Sequence, residues 1–381
     1  MGTKIWSHSY LCFLLKIVVL SALFRICLAY NDSESKLSAF FVFGDSLVDP
    51  GNNNRLNNIA KYNVWPNGID FPGGIPTGRY TNGRTAVDFL AQGLGFKNFI
   101  PAYNNPATAG EIVFHGVNYA SGGSGILDKS GYIFGQRICM NDQLANFAKT
   151  RQYIISSIGA DAATELFSNA IFAVGMGAND FLVNYYTPVL SILEQTLIAP
   201  EEFVDAMISE YRPQLTKLYE MGARKFVIEN VPPIGCVPLE RDLNHLWVGD
   251  SCVTSMNDAA MLFNAKLKTL MSELNSNLAG SKFVYADLYY IASDIIENYQ
   301  SYGLENYNSA CCRQLGRYGG LGLCGPTAKV CSDRSKYFFW DAVHPTEAVN
   351  LIVSKRLLDG DSKDIYPINI RQLCTDTDIG L

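Results

Sequence analysis

Five short β-rich runs separated by long stretches of helical periodicity constrain this chain more than any other feature. The runs are Ala39–Phe43, Val117–Ala120, Ala170–Val174, Lys225–Val231 and Lys282–Ala286, each bounded by Gly, Pro, Asn or Asp. Between them Leu144, Phe147, Ile154, Ile155 and Ile158 share one helical face. Phe203, Met207, Tyr211, Leu215 and Leu218 share another, with Pro213 expected to kink that helix. A third helical pattern runs from about Met256 to Leu274 through Phe263, Leu267 and Leu270. Such alternation implies a mostly parallel sheet covered by helices on both faces. No internal repeat, Pro/Ser-rich linker or shift of composition interrupts the pattern, so residues 30–381 read as one large domain. Ligands of such sheets bind beyond the carboxyl ends of the strands, so the candidate chemistry is whatever follows each strand.

Residues 1–29 stand apart. Lys4 precedes an apolar stretch from Tyr10 to Phe24, and Cys27-Leu28-Ala29 offers a small residue at a cleavage position, the layout of a signal peptide. Lys16 and Arg25 would each cost about 2.5–3.5 kcal/mol at a bilayer centre, which disfavours a permanent span. Removing this leader takes away three positive charges, so the formal net charge of −6 becomes −9. Nucleic acid is therefore not expected as a partner, since its binders cluster Lys and Arg. Eight cysteines are left, and an even number in an exported chain reads as disulfides. Cys311, Cys312, Cys324 and Cys331 crowd one Gly-rich loop without the C-x-x-C spacing or nearby His that zinc would call for. Cys236 and Cys252 flank another loop, and one glycosylation sequon, Asn31-Asp32-Ser33, follows the leader.

Four strand exits carry chemistry-bearing side chains. After the first run comes Gly44-Asp45-Ser46-Leu47, where a sharp turn can expose the Ser46 hydroxyl as a nucleophile near a helix N-terminus. Its own N–H would then face a developing oxyanion, although Asp45 or Ser46 can equally be a helix cap. After the second comes Ser121-Gly122-Gly123-Ser124-Gly125, a tight turn or a source of backbone donors, which fits neither a P-loop nor a dinucleotide fingerprint. After the third comes Gly177-Ala178-Asn179-Asp180, whose Asn179 amide can serve an oxyanion or an Asx-turn. Near the end stands Trp340-Asp341-Ala342-Val343-His344-Pro345-Thr346-Glu347. There Asp341 can fold back to fix the His344 tautomer and leave the other ring nitrogen to take a proton from Ser46. The alternative is a His–carboxylate surface pair. The G-x-S-x-G elbow of α/β-hydrolases is absent around Ser121 and Ser124.

In family order these residues resemble the plant GDSL esterase/lipase family of the SGNH hydrolase superfamily. The resemblance lies in Phe41-Val42-Phe43-Gly44-Asp45-Ser46-Leu47-Val48-Asp49 with Gly51-Asn52-Asn53-Asn54, in Gly78-Arg79-Tyr80-Thr81-Asn82-Gly83-Arg84-Thr85, and in Gly116 to Gly123. It continues through Gly177 to Asp180, Val231-Pro232-Pro233-Ile234-Gly235-Cys236, and Phe339 to Glu347. Pro50 and Ala178 depart from the usual family residues, and the tail after Leu358 lies outside the shared motifs. The resemblance implies a flavodoxin-like three-layer α/β/α sandwich with a mostly parallel five-stranded sheet, and ester hydrolysis without metal or cofactor. By position it implies Ser46 as nucleophile, His344 as base then acid and Asp341 as its orienter. Gly123 and Asn179 join the Ser46 N–H as the oxyanion hole, with Gly122 the alternative glycine.

The function expected is that of a secreted or cell-wall serine hydrolase acting on lipid or other acyl esters. A polysaccharide O-acetylesterase would use the same residues, and a non-catalytic wall or lipid-binding protein would use the same fold.

Overall fold

A computed structural model describes residues 37–186 and 198–376. The leader and Asn31 lie outside the described residues. In chain order the main elements are β1 (Phe40–Gly44), α1 (Ala86–Gly93), α2 (Met140–Ile158), α3 (Ala160–Asn169), β2 (Ile171–Gly175), α4 (Pro200–Glu220) and β3 (Lys225–Glu229). They continue with α5 (Pro238–Val248), α6 (Thr254–Asn277), β4 (Lys282–Ala286), α7 (Leu288–Glu297), β5 (Asn306–Ala310), β6 (Cys312–Arg313), β7 (Lys329–Val330) and β8 (Tyr337–Phe339). Last come α8 (Glu347–Asp359), β9 (Ile365–Tyr366) and α9 (Ile370–Thr375).

The central sheet has the order β1-β2-β3-β4-β9, parallel except for β9. Its strands are apolar on both faces, as burial under two helical layers requires. Phe41, Phe43, Phe172, Phe226 and Phe283 point into one core with α2, α4 and α6, while Phe40, Val42, Ile171, Val227 and Val284 point into the other with α1, α7, α8 and α9. Each such side chain contributes about 1.5–3 kcal/mol on burial, so the two faces fix the register of every strand. The result is the three-layer α/β/α sandwich expected, with five strands, most of them parallel.

Two strand assignments change. Val117–Ala120 is not a regular strand: it is joined to β1 by an isolated bridge at Val42 and Asn118 and, just past its end, by the Ser121 N–H on the Gly44 carbonyl. The Asn52 amide takes the Asn118 and Ala120 carbonyls at 2.9 and 2.7 Å, giving this edge to a loop side chain instead of to a ladder. The fifth strand is β9, in the tail beyond the shared motifs. It is two residues long, too short for periodicity to reveal. The helix bearing Pro213 runs unbroken from Pro200 to Glu220, with Phe203, Met207, Tyr211, Leu215 and Leu218 buried as expected.

Nor do all eight cysteines pair. The disulfides are Cys236–Cys252, Cys311–Cys331 and Cys312–Cys324, whereas Cys139 and Cys374 are free and buried. Cys139 heads α2 on one face of the sheet and Cys374 lies in α9 on the other, so no bond can join them. Two of the disulfides bear on the Asp341–His344 loop. The strand that precedes it, β8, is not in the main sheet; it pairs with β5. Cys311 and Cys312 donate to the Phe339 and Trp340 carbonyls at 3.0 and 2.6 Å, so the bridges to Cys331 and Cys324 brace the segment running into Asp341.

Candidate active site

Four loops converge beyond the carboxyl edge of the sheet. The first leaves β1 at Gly44, where a Cβ would stand 2.6 Å from Val48 Cγ2, so the tight turn requires glycine. No helix begins at Ser46, contrary to expectation. The chain makes a turn, closed by the Val48 N–H on the Asp45 carbonyl, and the Asp49 carboxylate draws the next N–H groups, Gly51 and Asn52, at 2.7 and 2.6 Å. The Asp341–His344 loop is closed in the same way: Asp341 Oδ1 accepts the N–H groups of Val343 and His344 at 2.9 and 2.8 Å.

These turns bring Ser46, His344 and Asp341 together. Ser46 Oγ lies 2.8 Å from His344 Nε2, and His344 Nδ1 lies 2.9 Å from both Asp341 oxygens. Asp341 is fully buried and His344 nearly so. Burial alone would raise the Asp341 pKa; the facing imidazole and the hydrogen bonds from the ring and backbone outweigh it and hold the carboxyl below its ordinary range. The neighbouring ring nitrogen is thus held as a donor, which leaves Nε2 as the basic end facing Ser46.

The glycine loop and Asn179 also meet. Asn179 Nδ2 donates to the Ser124 carbonyl at 3.0 Å, so one of its two hydrogens is taken and the other has no partner among the described residues. The Gly122 N–H is occupied by Asp49 Oδ2 at 3.0 Å, whereas the N–H groups of Gly123 and Ser46 have no partner among the described residues. Of the two glycines, Gly123 is therefore the one with a donor to spare. Its φ of +84° suits glycine alone.

Sequence reasoning did not single out the residues that hold these loops in place. Tyr62 and Tyr80 flank the imidazole, with ring centroids 5.4 and 5.0 Å from it, and burial followed by nearby carboxylates pushes both phenols well above their ordinary pKa. Asn53 binds Tyr80 Oη, the Gly122 carbonyl and Ser121 Oγ at 3.0, 2.8 and 2.5 Å, and so ties the serine loop to the glycine loop. Asp180 accepts from the Ile126 and Leu127 N–H groups and from Ser130 Oγ, and ties the Asn179 turn to the same loop. From the Gly78–Thr85 stretch, Thr81 donates to the Pro345 carbonyl, Asn82 accepts the Glu347 N–H and Arg84 pairs with Glu347. Arg79 is locked to Asp88 by two 2.7 Å bonds. Apart from Tyr80, whose ring flanks the imidazole, that stretch serves to grip the histidine loop. Its only legible signal was membership of a motif.

Around the site lie carboxyls that burial makes hard to ionise: Asp45, Asp49 and Asp180, each raised to about 6, and Glu229, raised to about 7 with Asp45 adding to the effect. The sign of the resulting pH dependence follows from linkage. A raised carboxyl costs nothing below its unfolded pKa, then lowers stability as pH climbs towards the folded one. For Glu229 the loss runs from about pH 4.5 to about 7 and totals about 3 kcal/mol at 1.36 kcal/mol per unit. Glu229→Gln, which never ionises, is therefore expected to match wild type at pH 4 and to exceed it by several degrees in Tm at pH 8. Equal Tm differences at the two pH values would show that Glu229 ionises freely in the folded protein.

A serine, a histidine and a buried aspartate thus stand in one hydrogen-bonded chain at the carboxyl edge of a three-layer sheet. Residues 40–357 match the family model described as GDSL-like lipase/acylhydrolase, and the chain belongs to that family of hydrolases. Among its relatives in Arabidopsis thaliana, GDSL esterase/lipase At4g16230 is 56% identical over 367 residues, covering 96% of this chain and 98% of that one. GDSL esterase/lipase At2g23540 is 45% identical, covering 88% of each chain, and GDSL esterase/lipase At3g50400 is 46% identical, covering 88% of this chain and 91% of the other. Among the described residues no helix is long and apolar enough to cross a membrane.

Proposed function

We propose that this protein is a secreted serine hydrolase that cleaves carboxylic esters through an acyl-enzyme, with residues 1–29 as its leader and one catalytic domain from residue 30 onward. The observation that carries the reading is the continuous hydrogen-bonded chain Ser46–His344–Asp341. In this reading His344 Nε2 takes the Ser46 proton as Oγ attacks the ester carbonyl. The Ser46 and Gly123 N–H groups and the second hydrogen of the Asn179 amide meet the oxyanion, where a single side-chain donor is worth about 3–4 kcal/mol. The imidazolium, stabilised by Asp341, then protonates the departing alcohol, and the same nitrogen activates water to release the acid. What supports this division of labour is that each proposed hydrogen is without a partner among the described residues, while the rejected Gly122 N–H has one.

The test is capture of the intermediate. Rapid mixing with p-nitrophenyl acetate and acid quench should yield a burst of p-nitrophenolate and a single acetyl group on the peptide containing Ser46. An acetyl group only on another residue would overturn the assignment of Ser46.

A further inference from the structure

Next to the serine and histidine loops lies a narrow apolar slot, partly open to solvent. Ser46 and His344 do not line it, but their chain neighbours do: Leu47 and Val48 directly follow Ser46, and Val343 and Pro345 flank His344. Ala292 of α7 and Phe338 of β8 face them, so the slot runs between the sheet edge and the α7–α8 layer. Two polar side chains interrupt the lining. Asn350 gives its amide to the Arg84 carbonyl at 3.0 Å. Glu229, only 6% exposed, has no hydrogen bond to either carboxyl oxygen among the described residues.

The backbone leaves room for that unpaired group. Glu229 ends β3 in register with Gly175 of β2, which in turn pairs with Gly44 of β1. A Cβ on Gly175 would stand 2.2 Å from Glu229 Oε2, so glycine there lets the carboxyl fold across the neighbouring strand. The slot thus combines an apolar wall with one carboxyl that has no hydrogen-bond partner among the described residues. We propose that this slot binds the acyl chain of the ester, and that the Glu229 carboxyl group hydrogen-bonds a polar substituent, such as a hydroxyl, carried along that chain.

The chemistry of the walls selects this occupant. Every methylene moved from water into the slot favours binding about fourfold, which suits an acyl chain and gives nothing to a sugar or glycerol. A chain of methylenes alone would leave Glu229 unpaired, the situation in which a site discriminates most strongly against the analogue lacking a hydroxyl. The tether supports the same choice. Once acylated, Ser46 Oγ holds the acid half of the ester next to the walls that Leu47 and Val48 form, while the alcohol departs.

This inference rests on the serine-hydrolase reading, and the experiment separates the two. The reading is kcat/KM on p-nitrophenyl acetate, octanoate and 4-, 6- and 8-hydroxyoctanoate, and on octyl acetate, for wild type, Ala292→Trp, Glu229→Gln and Glu229→Leu. Wild type should prefer one hydroxyoctanoate over octanoate by roughly tenfold. Glu229→Leu should erase that preference and Glu229→Gln, which still hydrogen-bonds, should keep most of it. Ala292→Trp, which fills the slot, should lower the octanoate-to-acetate ratio at least tenfold and leave the octyl acetate-to-p-nitrophenyl acetate ratio in place. A wild-type enzyme that ranks octanoate at or above every hydroxyoctanoate overturns the role of Glu229. Equal losses on acetate and octanoate, or a fall confined to octyl acetate, overturn the acyl slot. In those cases Ser46-dependent turnover of acetate leaves the serine-hydrolase reading standing, whereas no turnover of any ester removes both.

Discussion

Replacing Ser46 by Ala is expected to lower kcat for ester hydrolysis by a factor on the order of 10⁶, to the level that the binding groups alone provide. The size of the effect follows from the proposed role: without Oγ there is no bond to the acyl group, and His344 has no proton to accept. The fold should not change. The one side-chain hydrogen bond that disappears is the 2.8 Å contact with His344 Nε2, and the turn around Ser46 is closed by Asp45, Val48 and Asp49, none of which depends on the hydroxyl. Far-UV and near-UV circular dichroism should therefore superimpose on wild type while turnover of p-nitrophenyl butyrate disappears. Turnover that survives the substitution would remove Ser46 from the mechanism.

Asp341→Asn is expected to lower kcat by about 10⁴ with little change in KM. Asp341 accepts from His344 Nδ1 and from two backbone N–H groups. An asparagine can keep its oxygen on the backbone donors, but its NH₂ then faces Nδ1 and makes that nitrogen an acceptor. The ring proton moves to Nε2, the end that must be empty to receive the Ser46 proton. Because the defect is one of tautomer, lowering the pH should not restore activity, and steady-state kinetics across pH 5–9 would show it. Wild-type kcat in this variant would make Asp341 a structural residue that closes the loop.

Much of the site was readable because each member ends a stretch with its own local logic. Gly44-Asp45-Ser46 follows an apolar run, and Asp341 and His344 sit three residues apart, close enough for their turn to be a local matter. The pairing of Ser46 with His344 is not local, since 298 positions separate them. Motif order suggested it, and the tertiary fold brings it about. The roles of Tyr62, Tyr80, Asn53 and Asp180 were not legible, three of them known only as members of motifs, for the opposite reason. A loop asparagine or a buried tyrosine has no periodicity, and its role exists only through partners far away in the chain.

The cysteines mark the same boundary. Their even number was a property of composition, but pairing needs Cα atoms a few ångströms apart, and Cys139 and Cys374 lie on opposite faces of the sheet. Likewise β9 closes the sheet with two residues, because an edge strand of that length is held by its neighbour β4 and not by its own pattern. By itself, then, the sequence determined the alternation of strands and helices, the two-sided burial of the sheet and the residue types at its carboxyl edge, all consequences of local periodicity and local turns. The tertiary structure alone decided which glycine keeps a spare donor and which carboxyl in an apolar slot has no partner among the described residues, and which cysteines bond. Each of these depends on what lies opposite in space, and that is set by packing between segments far apart in the chain.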